Sequence, residues 1–157
     1  MKCGKQQNGF SLIELLIVVT IILIIVAIAI PNLLRSKIAA NEAAAVGSLR
    51  ALNSACINYS STWGTGFPLA LSRLGPGKPA TATAADLVDS VLAAGTKSGY
   101  KLIYVSAAPK GGSIATYTLN ANPVKPNVTG ARYFFTDQTA VIRYSYNGAA
   151  TLASKPI

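Results

Sequence analysis

The groups able to do chemistry in this chain are few, and their types exclude more than they allow. There is no histidine, and the acidic residues number five: Glu14, Glu42, Asp86, Asp89 and Asp137. Without imidazole neither a Ser-His-Asp nor a Cys-His nucleophile can be assembled, and no zinc site can use histidine. A carboxylate pair for general acid–base work could come only from Asp86 with Asp89, or from a chance tertiary meeting. The two cysteines, Cys3 and Cys56, form no metal-ligand spacing. The composition therefore speaks against an enzyme, and neither a metal nor a cofactor is expected. One carboxylate stands apart by its surroundings. Glu14 lies inside an apolar run from Leu12 to Ile30, nineteen residues whose only other polar side chain is Thr20.

That run sets the character of the chain. Of its 157 residues 51% are hydrophobic and 12% charged, about half the charged share of an ordinary globular protein. The mean hydropathy is +0.41. At about 1.5 Å per residue, nineteen helical residues cover roughly 28 Å, the thickness of a bilayer's hydrocarbon. A single membrane anchor is one reading. A secretory signal peptide is another, with Lys2 and Lys5 as its basic region and Ala27-Ile28-Ala29 as a small-x-small cleavage pattern. The run is longer than the roughly 7–15 residues usual for such a signal, however. A charge at the centre of a membrane helix costs on the order of 3 kcal/mol. Glu14 lies near one end and escapes part of that cost, but something must compensate for the rest.

The residues around Glu14 identify the compensation. Gly9-Phe10-Ser11-Leu12-Ile13-Glu14-Leu15 resembles the processing site of type IV prepilins and of the related pseudopilins of type II secretion. The resemblance implies that a dedicated peptidase removes the basic leader, residues 1–9, by cutting after Gly9. The new N-terminus, Phe10, is then methylated, and Glu14 falls at the fifth position of the mature chain. Pro31, followed by Asn32 and Leu33, also fits the family. An α-amine has a pKa of about 7.7–8.0 and is mostly protonated at neutral pH. After cleavage it would stand four residues, about 6 Å of helix, from Glu14. Pairing within one chain is one arrangement. The family implies another, Glu14 of one subunit with the Phe10 amine of its neighbour, which makes a buried charge a registry device in a growing filament.

Beyond Pro31 the pattern stays helical but becomes amphipathic. Val46, Leu49, Leu52, Cys56 and Tyr59 share one face, and Leu34 and Ile38 begin a similar one. Alanine is plentiful from Ala39 to Ala55 and favours helix. These features predict a spine helix over residues 10–61, of which residues 10–30 form the transmembrane and assembly segment. Pro31 should mark a kink, because proline removes a helical hydrogen bond. The turn residues from Trp63 to Pro68 end the helix and open a head over residues 62–157. A helical turn is expected at Leu69–Leu74. Thr83-Ala84-Ala85-Asp86 resembles a capping box for a helix carrying Leu87, Val88, Val91 and Leu92, with Gly95 as its stop. Four strands follow, Tyr100–Ser106, Ala115–Asn120, Ala131–Thr136 and Ala140–Tyr146, separated by turn signals. The fold class is α+β, and the family implies the pilin fold: a long helix packed on a four-stranded antiparallel sheet.

The remaining signals have ordinary explanations. The leader takes Lys2 and Lys5 with it, leaving twelve basic residues against five acids. A polymer of such subunits would attract DNA weakly and without sequence preference, by counterion release. The charges are scattered, which fits a solvated surface. Six of the seven tyrosines fall in expected strands, where packing favours aromatics. Cys56 falls on the inward helix face and is the single cysteine left after processing, so the mature chain forms no intrachain disulfide. Many type IV pilins close a C-terminal loop with one. Asn58-Tyr59-Ser60 and Asn127-Val128-Thr129 fit the glycosylation sequon. Major pseudopilins bind calcium through acids in a late loop, whereas only Asp137 follows Asp89 here. The sequence thus reads as a filament subunit, with a pilus ahead of a pseudopilus. Its partners would be identical subunits, the inner membrane before assembly, the prepilin peptidase and the pilus assembly machinery. A membrane-anchored or secreted monomeric binding module is the reading of a different class.

Overall fold

Helix α1 runs from Leu12 to Trp63 in a computed structural model that describes residues 10–157. It begins two residues later than expected and ends two residues later, so Trp63 closes the helix rather than opening the loop. Glu14 lies in its first turn, where a carboxylate interacts favourably with the helix dipole. Beyond Trp63 the chain turns away, with the Gly64 amide donating to Ser60 O at 3.1 Å. The helix passes through Pro31 without interruption. By contact the chain divides into two compact units, one up to Ser36 and one from Lys37 to Ile157.

The second unit holds the core. Ala45, Leu49, Leu52, Ala55, Cys56 and Tyr59 of α1 are buried in one apolar cluster with Tyr100, Leu102, Tyr117, Leu119 and Phe134. The face expected from the sequence is the face buried. Leu34 is exposed and Ile38 half-buried, so continuous burial begins only near Glu42.

The sheet has six strands, not the four expected: β1 Thr96–Lys97, β2 Tyr100–Ser106, β3 Tyr117–Pro123, β4 Tyr133–Asp137, β5 Arg143–Ser145 and β6 Lys155–Pro156. Spatial order equals chain order, and every pairing is antiparallel. The two added strands are the edges, each two residues long, too short to show any alternation. Short edges of this kind, one ending in proline, offer little template for pairing with another chain. β2 and β3 alternate as a half-buried pair should, with Tyr100 and Leu102 inward and Lys101 and Ile103 outward. β4 departs from alternation because both Phe134 and Phe135 are buried. Asn120 lies opposite Phe135 and donates its side-chain amide to Ala150 O at 2.8 Å, so the segment before β6 crosses the outer face there.

The helix expected after Thr83 is also corrected. Ala84 N donates to Thr81 O and Asp86 takes φ 53°, a conformation no right-handed helix accepts. Helix α2 spans only Ser90–Ala93, and Asp89 is its cap, accepting from Leu92 N at 2.6 Å. Gly95 follows in the left-handed region at φ 75°, as a helix stop should. The turn near residue 70 is a 3-10 helix, Leu71–Leu74.

Candidate functional site

The expected processing and assembly residues lie at the start of the chain. Gly9 and the rest of the leader fall outside the described residues. Phe10 is the first described residue, 71% exposed, and lies two residues before the start of α1. The helix opens with Leu15 N donating to Ser11 O at 3.2 Å. Phe10 and Glu14 are therefore brought to the same helix end. Among the described residues Glu14 makes no ion pair; the two pairs present are Lys97–Asp89 and Arg132–Glu42.

Every residue from Leu12 to Ile30 is exposed. Within α1 an eighteen-residue window has a mean hydropathy of 3.3 and none of it is buried, so the helix is long and apolar enough to cross a membrane. Fully exposed leucine and isoleucine side chains forgo about 1.5–3 kcal/mol each relative to burial. A stretch of this length is stable only in lipid or against other apolar helices. The polar groups inside it are handled locally. Thr20 Oγ1 donates to Leu16 O at 2.7 Å and Asn32 Nδ2 to Ile28 O at 3.1 Å. Pro31, lacking an N–H, leaves Ala27 O without its helical donor. It lies well along the helix from Phe10 and Glu14 and shares no site with them.

The sequence reading passed over a second constellation, on the head. Glu42 is buried in α1 and accepts from Ala131 N at 2.8 Å, Arg132 N at 3.0 Å and Arg132 Nε at 2.7 Å. Burial pushes its pKa up, but the Ala131 amide and the Arg132 side chain and amide outweigh it and hold the carboxyl below its ordinary value. Close by, Asn41 Nδ2 donates to Thr129 O at 2.9 Å. Gly130 lets the Tyr100 ring lie against this segment, because a Cβ there would meet the Tyr100 hydroxyl. Arg132 also lies over the Phe134 and Tyr144 rings. One turn of α1 is thus clamped to the strand-leading segment 129–132. The available signal was position: Glu42 sits three and seven residues before Ala45 and Leu49 on the core-facing side.

Deeper in the core Tyr117 OH donates to Asn53 Oδ1 and Asn53 Nδ2 to Thr136 Oγ1, both at 3.0 Å. Burial pushes the Cys56 thiol up to about 12, against opposing hydrogen bonds with Tyr117 and Tyr104. Asp137 is taken up by a turn, accepting from Thr139 N and Oγ1. Asp89 caps α2 and pairs with Lys97 at 3.0 Å, while Asp86 takes a left-handed conformation at φ 53° three residues before it. Among the described residues no three His, Cys, Asp or Glu side chains gather as a metal site would require.

An exposed apolar helix carrying one acid in its first turn, joined to an α+β head with an antiparallel sheet, is consistent with the pilin fold. The prokaryotic N-terminal methylation motif matches the chain over residues 4–30. It is the prepilin-type leader of type IV pilins and pseudopilins, and it supports that family for this chain. No curated protein and no solved structure matches the chain.

Proposed function

We propose that the chain is the major subunit of a type IV pilus, polymerising through its N-terminal helix into an extracellular filament of identical copies. The observation that carries this reading is the methylation motif set in register with an apolar helical stretch, Leu12 to Ile30, whose every residue is exposed. In the proposed division residues 1–9 are a leader, residues 10–61 the spine and residues 62–157 the head. Prepilin peptidase cuts between Gly9 and Phe10, and the Phe10 amine is methylated. The precursor waits in the inner membrane until the assembly machinery extracts it. In the filament Glu14 of one subunit meets the Phe10 amine of another, and Pro31 gives the spine a point of bending. The basic surface adds a weak, salt-sensitive attraction for DNA.

A major pseudopilin of type II secretion is the second reading. It is favoured by the single cysteine of the mature chain, which rules out the C-terminal disulfide loop of many type IV pilins. Shearing of intact cells separates the two. Recovery of the subunit in extracellular filaments supports the pilus, and recovery only in the periplasm supports the pseudopilus. A soluble or membrane-bound monomer with an unprocessed N-terminus would overturn both.

A further inference from the structure

A cleft of about 240 Å³ opens in the head between the last turns of α1, the 3-10 helix and the turn at residues 109–114. Phe67, Leu69 and Pro109 form its accessible apolar sides over a floor of buried Tyr59 and Ile114, and Arg73 lines the same cleft. Arg73 is half-buried and has no counter-charge: both ion pairs among the described residues use other side chains. The walls are tied together from three sides. Tyr59 OH donates to Ala82 O at 2.7 Å, holding the α1 wall to the loop beyond the 3-10 helix. Phe67 N donates to Ile114 O at 2.9 Å, and Ile114 N to Thr65 O at 3.1 Å. Ala85 N donates to Arg73 O at 2.8 Å. A cleft braced in this way is largely formed before anything enters it, which lowers the ordering cost of binding.

We propose that this cleft binds a small carboxylate with an aromatic or branched apolar body, its carboxylate held by Arg73 and its body against Phe67 and Leu69. Its volume lies below the roughly 300 Å³ at which drug-sized pockets begin, so the ligand is a small acid. An anion supplies what Arg73 lacks, a charge-assisted partner in a partly dehydrated setting. The Phe67 ring and the Leu69 side chain supply apolar contact that a hydrated inorganic anion cannot use. The cleft is separate from the processing and assembly residues, and the inference does not rest on the pilus reading.

The chain carries its own reporter. Trp63, its single tryptophan, lies with its ring centroid 4.9 Å from that of Tyr59. Full-length protein in detergent would be titrated with benzoate, benzamide and acetate while Trp63 fluorescence is followed. Benzoate should give a saturable change, with benzamide and acetate each about tenfold weaker. That factor corresponds to ~1.4 kcal/mol. Arg73→Gln should bring benzoate down to the level of benzamide, and Arg73→Lys should restore part of the difference. Equal binding of benzoate and benzamide, equal binding of benzoate and acetate, or no saturable signal with benzoate would each overturn the proposal. So would unchanged benzoate binding in a folded Arg73→Gln protein. Should that variant fail to fold, the three-probe comparison on the unaltered protein decides alone.

Discussion

Replacing Glu42 by alanine should destabilise the head by about 3 kcal/mol. The substitution leaves the Ala131 and Arg132 amides without their acceptor and Arg132 Nε without its carboxylate. Each buried unsatisfied group costs about 1–3 kcal/mol, and breaking a buried ion pair about 3–5 kcal/mol. The Glu42 side chain is 8% exposed, but that of Arg132 is 31% exposed and regains water, which places the loss near the lower bound. In a domain of this size the melting midpoint falls on the order of 10 °C. The assay is near-UV circular dichroism of the full chain in detergent, where Trp63 and the core tyrosines report head packing. Glu42→Gln, which keeps one acceptor oxygen, should lose about half as much. Because the folded carboxyl titrates below its ordinary value, its stabilisation is complete above the unfolded pKa and is lost as pH falls through the folded one. The advantage of the unaltered protein over Glu42→Gln should therefore be full at neutral pH and shrink below about pH 4. A midpoint shift for Glu42→Ala under roughly 3 °C would show that the clamp contributes little.

Three further outcomes concern Gly9, Glu14 and Cys56. Gly9→Val should block processing, since a side chain intrudes where the peptidase approaches the backbone; full-length precursor in the membrane and no filaments is the expected blot. Glu14→Ala should leave membrane insertion intact while weakening subunit docking at least a hundredfold, from about 3–5 kcal/mol for a broken buried pair. The yield of sheared filaments against total membrane subunit measures it, and an undiminished yield would remove the registry role. Cys56, buried and with its pKa raised to about 12, should resist iodoacetamide at pH 8 in the folded protein and react once denatured. Rapid alkylation of the folded chain would contradict its placement.

Much of this architecture is written in local patterns, and the misses share a cause. The inward face of α1 was legible because Leu49, Leu52, Cys56 and Tyr59 repeat at helical spacing over several turns. The central strands were legible from their aromatics and bounding turns, though β3 starts two residues later than expected, at Tyr117. The edge strands Thr96–Lys97 and Lys155–Pro156 were not, because two residues carry no period and exist as strands only through their partners. The Thr83–Asp86 box failed where a tertiary turn competes with helix initiation, and Asp89, three residues on, performs the capping. Glu42 was missed as a clamp because its meaning depends on Arg132, ninety positions away. At the N-terminus the opposite holds. In the proposed function the apolar run and Glu14 act through a membrane or other subunits, so the sequence motif carries more there than the isolated chain can display.

The most direct measurement is the mass of the N-terminal peptide from filaments sheared off intact cells. The account predicts a peptide beginning at Phe10, heavier by one methyl group on its α-amine, with residues 1–9 gone. Filaments whose subunit begins at Met1 or after Ala29, or an unmethylated subunit found only as a monomer, would contradict it.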